Sequence, residues 1–284
     1  MNSRENETDH KKEEARKTEI MGTASKHNHI RNVIAVMSGK GGVGKSFVTS
    51  LLATALAREG NRVGVLDADI TGPSIPKFFG LSGSVMSEQK MLKPLESRLG
   101  IKVMSMNLLL PSEDQAVIWR GPMISKAITQ LWGDVKWGDL DYLLIDLPPG
   151  TSDAALTIMQ SLPLNGILMV TTPQSLSSMI VRKAVHMSQH VGVPTVGIIE
   201  NMSYFVCPDC GSRQPIFGES HAEEVAQAAG APVLARLPIN PHIAMLCDQG
   251  KIEDFEFLEI REILELFNQK ISSAVQDKNG SVAK

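Results

Sequence analysis

VIAVMSGKGGVGKS, residues 33–46, contains the strongest structural signal in the chain. Its first five residues are apolar, which is typical of a buried strand. The glycine-rich turn from Gly39 to Ser46 has the spacing G-x-x-x-x-G-K-[ST] of a phosphate-binding P-loop, and an Ala- and Leu-rich helical segment follows it. A strand, this loop and a helix in that order predict a nucleotide site within an α/β domain.

The residue types of this loop have physical reasons. Glycine lacks a Cβ atom, so backbone N–H groups can approach phosphate oxygens closely. We expect Lys45 to reach the β- and γ-phosphates of ATP and the Ser46 hydroxyl to bind Mg²⁺. The predicted nucleotide-binding residues of the loop are Gly39, Lys40, Gly41, Gly42, Val43, Gly44, Lys45, Ser46 and Phe47.

The rest of the chain alternates short runs of Val, Ile and Leu with longer amphipathic segments. This pattern predicts an α/β fold, a doubly wound and mostly parallel sheet flanked by helices. The predicted strands are 33–38, 62–67, 101–106, 141–146, 166–171, 195–200 and 233–237. The predicted helices are 46–59, 123–131, 152–161, 177–190, 219–229, 241–249 and about 254–274.

The two ends of the chain lack this alternation. Residues 1–31 carry charges of both signs and no apolar stripe, which predicts a disordered tail, and residues 276–284 predict a polar tail. Residues 32–275 then form one ATPase domain, with a cysteine-bearing loop at 201–218. Because the first residues are charged, we expect no secretory signal and a cytoplasmic location.

The net charge and the lengths of the apolar runs argue against two kinds of binding partner. The 284 residues include 28 Lys and Arg against 31 Asp and Glu, a formal net charge of −3. Non-specific nucleic-acid binding depends on an excess of basic residues, which this balance does not provide. The longest aliphatic runs are four or five residues, far less than a membrane span requires. We therefore expect neither nucleic acid nor a membrane as a partner.

Two carboxylate-bearing segments follow predicted strands. VLDADITGPS contains Asp67 and Asp69, and YLLIDLPPGTSD contains Asp146 and Asp153. An apolar strand that ends in Asp is typical of the element that holds Mg²⁺ in P-loop ATPases. An Asp in this position is also a common turn residue. The P-loop favours the functional interpretation, because ligands of open α/β sheets bind at the carboxyl ends of strands.

A pair of cysteines has C-x-x-C spacing in NMSYFVCPDCGSRQPIFG, residues 201–218. Cys207 and Cys210 could form a redox dithiol, a zinc site with His221 as third ligand, or part of an iron–sulfur cluster with four thiolates. Cys247 lies in an apparent helix, and we expect it in the core. A four-thiolate site then needs two chains, each giving two cysteines across a two-fold axis.

GKGGVGKS resembles the deviant P-loop of the MinD, ParA and nitrogenase-iron-protein group. Together with DADITGPSIP, DLPPGTSD, NMS, CPDCG, IFG and LARLPI, it makes residues 30–250 resemble the Mrp/ApbC family of iron–sulfur cluster carrier ATPases. The resemblance implies that Lys40 reaches the partner's nucleotide in a homodimer. It also implies that Asp69 positions the attacking water, that the Asp146 loop senses the γ-phosphate, and that Asn201 and the segment near Pro238 contact adenine.

The same resemblance implies the activity. It predicts an ATPase with slow hydrolysis whose homodimer holds a [4Fe–4S] cluster between its subunits, receives the cluster from a scaffold and passes it to apo-proteins. Residues 1–31 contain no cysteine, so the second cluster of some relatives is not expected here. The alternatives are a positioning ATPase like MinD or ParA and a dimeric NTPase that contains zinc. The acidic C-terminal segment 255–275 does not favour a membrane-attached positioning ATPase.

Overall fold

A computed structural model describes residues 28–69, 74–83, 85, 87–88, 91–105, 108, 121–256 and 260–282. Most of the predicted N-terminal tail, residues 1–27, lies outside the described residues. Gly72, in the segment after Asp69, lies outside them as well.

The described residues contain eleven strands: β1 His29–Ser38, β2 Val63–Asp67, β3 Ser87–Glu88, β4 Met91–Leu92, β5 Leu95–Glu96, β6 Lys102–Ser105, β7 Asp139–Asp146, β8 Gly166–Thr171, β9 Thr195–Val206, β10 Arg213–Gln214 and β11 Val233–Ile239. Nine of them form one sheet with the order β10-β9-β8-β1-β7-β2-β6-β5, in which β11 also pairs with β9. The pairs among β6, β2, β7, β1, β8, β9 and β11 are parallel, and the edge strands β5 and β10 are antiparallel. A two-stranded ribbon of β3 and β4 is separate.

Helices cover both faces of this sheet. Alternate residues of β1 belong to two different apolar clusters: Val33 and Ala35 face one, Ile34 and Val36 the other. This is the period of two expected of a strand buried on both sides. The helices are α1 Lys45–Arg58, α2 Ile75–Phe78, α3 Gly121–Asp134, α4 Asp153–Ser161, α5 Ser175–His190, α6 Ala222–Ala229, α7 Pro241–Asp248 and α8 Ile260–Val282, with a 3₁₀ turn at Ile252–Asp254. The doubly wound α/β prediction is confirmed.

Three of the boundaries that differ from the predictions have a clear physical reason. β1 begins at His29, inside the predicted tail, because His29 and Ile30 pair with the start of β7. β9 continues six residues beyond the predicted strand end at residue 200, because both β11 and β10 pair with its second half. α8 continues to Val282, through most of the segment predicted as a polar tail, since a packed helix can propagate into polar residues once it has formed.

The strand order places the functional loops together. β1 lies between β8 and β7, and β2 lies on the far side of β7, so the order of the chain reverses at β1. Ligands of doubly wound sheets bind at such a switch point, outside the carboxyl ends of the strands. The loops after β1, β2, β7 and β8 open at this edge. Among the described residues, no helix is long and apolar enough to cross a membrane.

Candidate functional site

The glycine-rich loop connects β1 to α1 in a backbone form that only glycine adopts easily. Gly42 has φ 78° and Gly44 has φ 82°, both in the left-handed region. A Cβ atom on Gly44 would lie 2.2 Å from Nδ2 of Asn201. The loop therefore requires glycine at position 44 both for its conformation and for the close approach of a neighbouring strand.

Lys45 is a buried cation with unused hydrogen-bond donors. Its Nζ lies 2.8 Å from Oδ1 of Asp146, and the side chain is 6% exposed. The contact lacks the angle of a hydrogen bond, and Nζ has no hydrogen-bond acceptor among the described residues. Buried ammonium groups are costly unless their N–H donors are satisfied. The free donors fit an anionic ligand such as the phosphates of a nucleotide.

Asp146 is the centre of a buried polar cluster at the end of β7. Its Oδ2 accepts a hydrogen bond of 2.5 Å from the Ser46 hydroxyl, and its Oδ1 accepts one of 2.9 Å from Thr49. Carboxylate and hydroxyl oxygens are the ligand types that Mg²⁺ prefers. Thr49 was not predicted from the sequence, although it lies one helical turn after Lys45 and thus on the same face of α1.

Asp67 lies beside Asp146, because β2 and β7 pair these two residues in register. Burial, reinforced by the Asp146 carboxylate, raises the pKa of Asp67 to about 8, although Lys45 and the backbone N–H of Asp69 oppose the shift. That N–H donates to Asp67 Oδ1 over 3.2 Å. Asp69, the residue singled out in the sequence, is largely buried at the mouth of the same edge.

Lys40, the second lysine of the loop, points away from this cluster. Its Nζ donates a hydrogen bond to Oε1 of Gln174, an exposed residue just before α5. The loop after β7 packs against the P-loop: Gly150 N donates to Ser38 O over 3.0 Å, and Pro149 lies next to Gly41. The structure thus brings all four predicted catalytic residues, Lys40, Lys45, Asp69 and Asp146, to one edge of the sheet.

Asn201 reaches this edge from β9. Its side chain is buried, and Nδ2 donates a hydrogen bond of 2.9 Å to the backbone oxygen of Val43 in the P-loop. Pro238 of β11 pairs with Tyr204, three residues further along β9.

Cys207 and Cys210 lie in the turn between β9 and β10. The backbone closes the turn, since Cys207 N donates to Ser212 O over 3.0 Å and Gly211 N donates to Cys207 O over 2.9 Å. Cys210 is exposed, and hydrogen bonds from Ser212, then from Cys207, lower the pKa of its thiol. The thiolate is the form that binds metals. The hairpin therefore presents a dithiol suited to a soft metal or cluster.

The other candidate ligands are not near this pair. Cys247 lies on α7 and is buried in one of the two apolar clusters, where burial raises the pKa of its thiol to about 11. His221 lies beside Glu224. The part of the chain that the structure describes contains no group of three or more His, Cys, Asp or Glu residues placed to hold a metal ion.

Comparisons with known proteins agree with this architecture. An iron–sulfur cluster carrier protein of Clostridium perfringens is 49% identical over 237 residues, 81% of this chain and 83% of the relative. One of Pyrococcus horikoshii is 49% identical over 228 residues, 76% of this chain and 77% of the relative. A nucleotide-binding protein of Archaeoglobus fulgidus, solved with ADP, superimposes with a TM-score of 0.74 at 44% identity, covering 88% of this chain and 95% of that one.

More distant structures share the fold. MinD of Pyrococcus furiosus has a TM-score of 0.58 at 20% identity and covers 87% of this chain and 98% of its own. The ParA family model described as NUBPL iron-transfer P-loop NTPase matches residues 29–272, nearly the whole described chain. On this match and on the identity to its relatives, the chain belongs to the ParA family, as a NUBPL-type iron-transfer P-loop NTPase.

Proposed function

We propose that this protein is an ATP-dependent iron–sulfur cluster carrier, which binds a [4Fe–4S] cluster between two copies of itself and transfers it to apo-proteins. The observation that carries the proposal is the pair of half-buried Cys207 and exposed Cys210, which has no third ligand among the described residues of its own chain. A cluster with four thiolates is completed when a second copy brings the same pair across a two-fold axis.

In this proposal each residue of the nucleotide site has its own role. Bound MgATP supplies the phosphoryl group that is transferred to water. The free donors of Lys45 would neutralise the β- and γ-phosphates, and the oxygens of Ser46 and Asp146 would hold Mg²⁺, which would neutralise phosphate charge as well. The loop residues Gly39 to Phe47 wrap the phosphates, and we expect Asn201, which contacts this loop, to reach the adenine base as well. Asp69 orients the attacking water.

Lys40 has a different part in the proposal. Its ammonium is held by Gln174 on its own chain and contacts none of the described carboxylates around Lys45. In the dimer we expect Lys40 to leave Gln174 and to neutralise charge on the partner's nucleotide during phosphoryl transfer. Because catalysis then requires two chains, hydrolysis by the lone chain is slow.

The cluster is cargo rather than a permanent cofactor. An exposed hairpin with an acidified thiol suits exchange of ligands with a scaffold that donates the cluster and with an apo-protein that receives it. A reducing compartment such as the cytoplasm keeps this dithiol available.

The test is anaerobic reconstitution with iron and sulfide, followed by iron content and visible absorption. We expect about four irons per two chains and loss of the absorption in the Cys207→Ser/Cys210→Ser variant. Cys247→Ala, the matched control in the buried core, retains the cluster. A colourless protein that retains zinc, or an iron content that does not depend on Cys207 and Cys210, would overturn the proposal.

A further inference from the structure

Strand β9 is the direct covalent link between the two candidate sites. Asn201 on this strand contacts the P-loop, and Cys207 follows only six residues later in the same chain direction. Between them the strand pairs with β11 on one side and, at its end, with β10. A displacement of the strand at Asn201 is therefore transmitted along a paired backbone to the cysteine hairpin.

The strand is irregular at this point. Glu200 pairs with Arg236 and Tyr204 pairs with Pro238, so the three residues 201–203 of β9 face the single residue 237 of β11. Bulges of this kind redirect strands and occur next to active sites. Met202, in the middle of the bulge, has φ 55° and is the only non-glycine residue with positive φ in the described part of the chain. This conformation is strained for a side chain of its kind.

Glu200 holds the bulge in place. The side chain is 1% exposed. Its Oε2 accepts a hydrogen bond of 2.5 Å from Ser203, on the other side of the bulge, and its Oε1 accepts one of 3.0 Å from Ser220. Ser220 lies beyond the cysteine hairpin, just before α6. One buried carboxylate thus joins both ends of the bulge to the segment that follows the hairpin.

We infer that Glu200 is a positioning residue that couples the nucleotide site to the cysteine hairpin through the bulge at residues 201–203. Nucleotide binding changes the P-loop contact of Asn201, and the strained bulge then relaxes to a second arrangement that reorients the hairpin. Glu200 makes the segments before and after the hairpin move together, because one of its hydroxyl partners precedes the hairpin and the other follows it. The inference rests on the proposed function, in which both ligands bind one chain.

Coupling of this kind is measurable as a reciprocal change in affinity. The affinity for a non-hydrolysable ATP analogue is measured on the full chain with and without its reconstituted cluster, and the ratio of the two values is the coupling factor. In the native protein we expect a factor of about five or more in either direction. A native factor of one would overturn the inference, while failure to bind the cluster or the analogue at all would overturn the proposed function instead.

The decisive variants are Glu200→Ala, which removes both contacts of the carboxylate, and Ser220→Ala, which removes one of them. Ser220→Ala also removes the oxygen that accepts hydrogen bonds of 3.3 Å from the backbone N–H of Ala222 and from Arg236 Nε. We expect each to bind the analogue and the cluster separately within about threefold of the native protein, while the coupling factor falls toward one. Glu200→Gln retains an acceptor and a donor for the two hydroxyls and restores the factor. Ser220→Ala keeps the test valid if Glu200→Ala does not fold.

Glu253 provides a matched control. It is also buried and accepts a hydrogen bond of 2.6 Å, from Ser97, but it lies in the 3₁₀ turn before α8. Glu253→Ala should cost stability and leave the coupling factor unchanged. Coupling that survives in Glu200→Ala and Ser220→Ala, or that falls equally in Glu253→Ala, would refute a specific role for Glu200.

Discussion

The P-loop region and the cysteine hairpin differ in how far a single chain completes them. Around Lys45 and Asp146, buried groups from α1 and β7 already hold one another at hydrogen-bond distances. At Cys207 and Cys210 the thiols are partly or fully exposed, and the described residues offer no further ligand. In the proposed function, one chain already assembles the groups that bind the nucleotide phosphates, whereas the cluster takes thiolates from two chains.

The difference also has an electrostatic side. The nucleotide site contains carboxylates forced close together, with Asp67 and Asp146 paired in register. Burial and this proximity raise the pKa of Asp67, because both disfavour its charged form. At the hairpin, hydrogen bonds from Ser212 and Cys207 lower the pKa of Cys210, which favours the thiolate over the neutral thiol.

Lys45→Ala should have the largest effect, and this effect should be confined to the nucleotide site. Without the buried ammonium the phosphates lose their main counter-charge, and we expect ATP turnover to fall by about a thousandfold. Cluster loading should be unchanged. Phosphate release and iron content are measured on the same preparation, with the exposed Lys251→Ala as control; normal turnover in Lys45→Ala would remove the phosphate-site assignment.

Asp69→Asn should separate binding from chemistry within the nucleotide site. The amide retains the size of the side chain but cannot orient the attacking water as a carboxylate does, so we expect turnover to fall by about a hundredfold. The affinity for ATP should stay nearly native. Asp153→Asn, at the first position of α4, is the matched control. Native turnover in Asp69→Asn would contradict the proposed role.

Asp67→Asn should test the raised pKa of Asp67 through the pH dependence of the free energy of unfolding. The pKa of about 8 in the folded chain lies above the ordinary value of 3.8. Between pH 4 and pH 8 the Asp67 carboxyl is therefore protonated in the folded chain and ionised in the unfolded chain, so unfolding releases a proton. The native chain therefore loses stability from pH 4 to pH 8, relative to Asp67→Asn, and the difference stays constant above pH 8. We expect the two proteins to be equally stable at pH 4 and the variant to be the more stable one at pH 8. Parallel urea-unfolding curves for the two proteins from pH 4 to pH 9 would contradict this account.

Ser212→Ala should have the smallest effect, confined to the hairpin. Its hydroxyl makes the largest contribution to the lowered pKa of Cys210, so removing it favours the neutral thiol. In alkylation with iodoacetamide we expect the midpoint for Cys210 to move to higher pH. Ser272→Ala, an exposed serine on α8, leaves the midpoint in place. A downward movement in Ser212→Ala would show that the hydroxyl does not stabilise the thiolate.

The parts of the fold that the sequence predicts well are those with local signals. The strand at Gly166–Thr171 has the predicted bounds, and α1 begins within one residue of its prediction, because apolar runs and glycine-rich turns act over a few residues. The P-loop and its carboxylates could be found for the same reason. Their roles remain predictions that the variants above test.

The parts that could not be predicted depend on distant pairing. The second half of β9 is a strand because β11 and β10 pair with it, and β1 starts early because β7 does. Glu200 has no sequence signal of its own: its partners Ser203 and Ser220 are brought together only by the bulge and by the turn before α6. Thr49 could have been found from its helical spacing to Lys45.

The most direct test of the account is native mass spectrometry of the anaerobically reconstituted protein, which weighs chains and cluster together. The account predicts a species of two chains and one [4Fe–4S] cluster. When native chains are mixed with the Cys207→Ser/Cys210→Ser variant before reconstitution, mixed dimers should carry no cluster. A cluster on a single chain, or on a mixed dimer with one native pair, would contradict the claim that two copies complete the site.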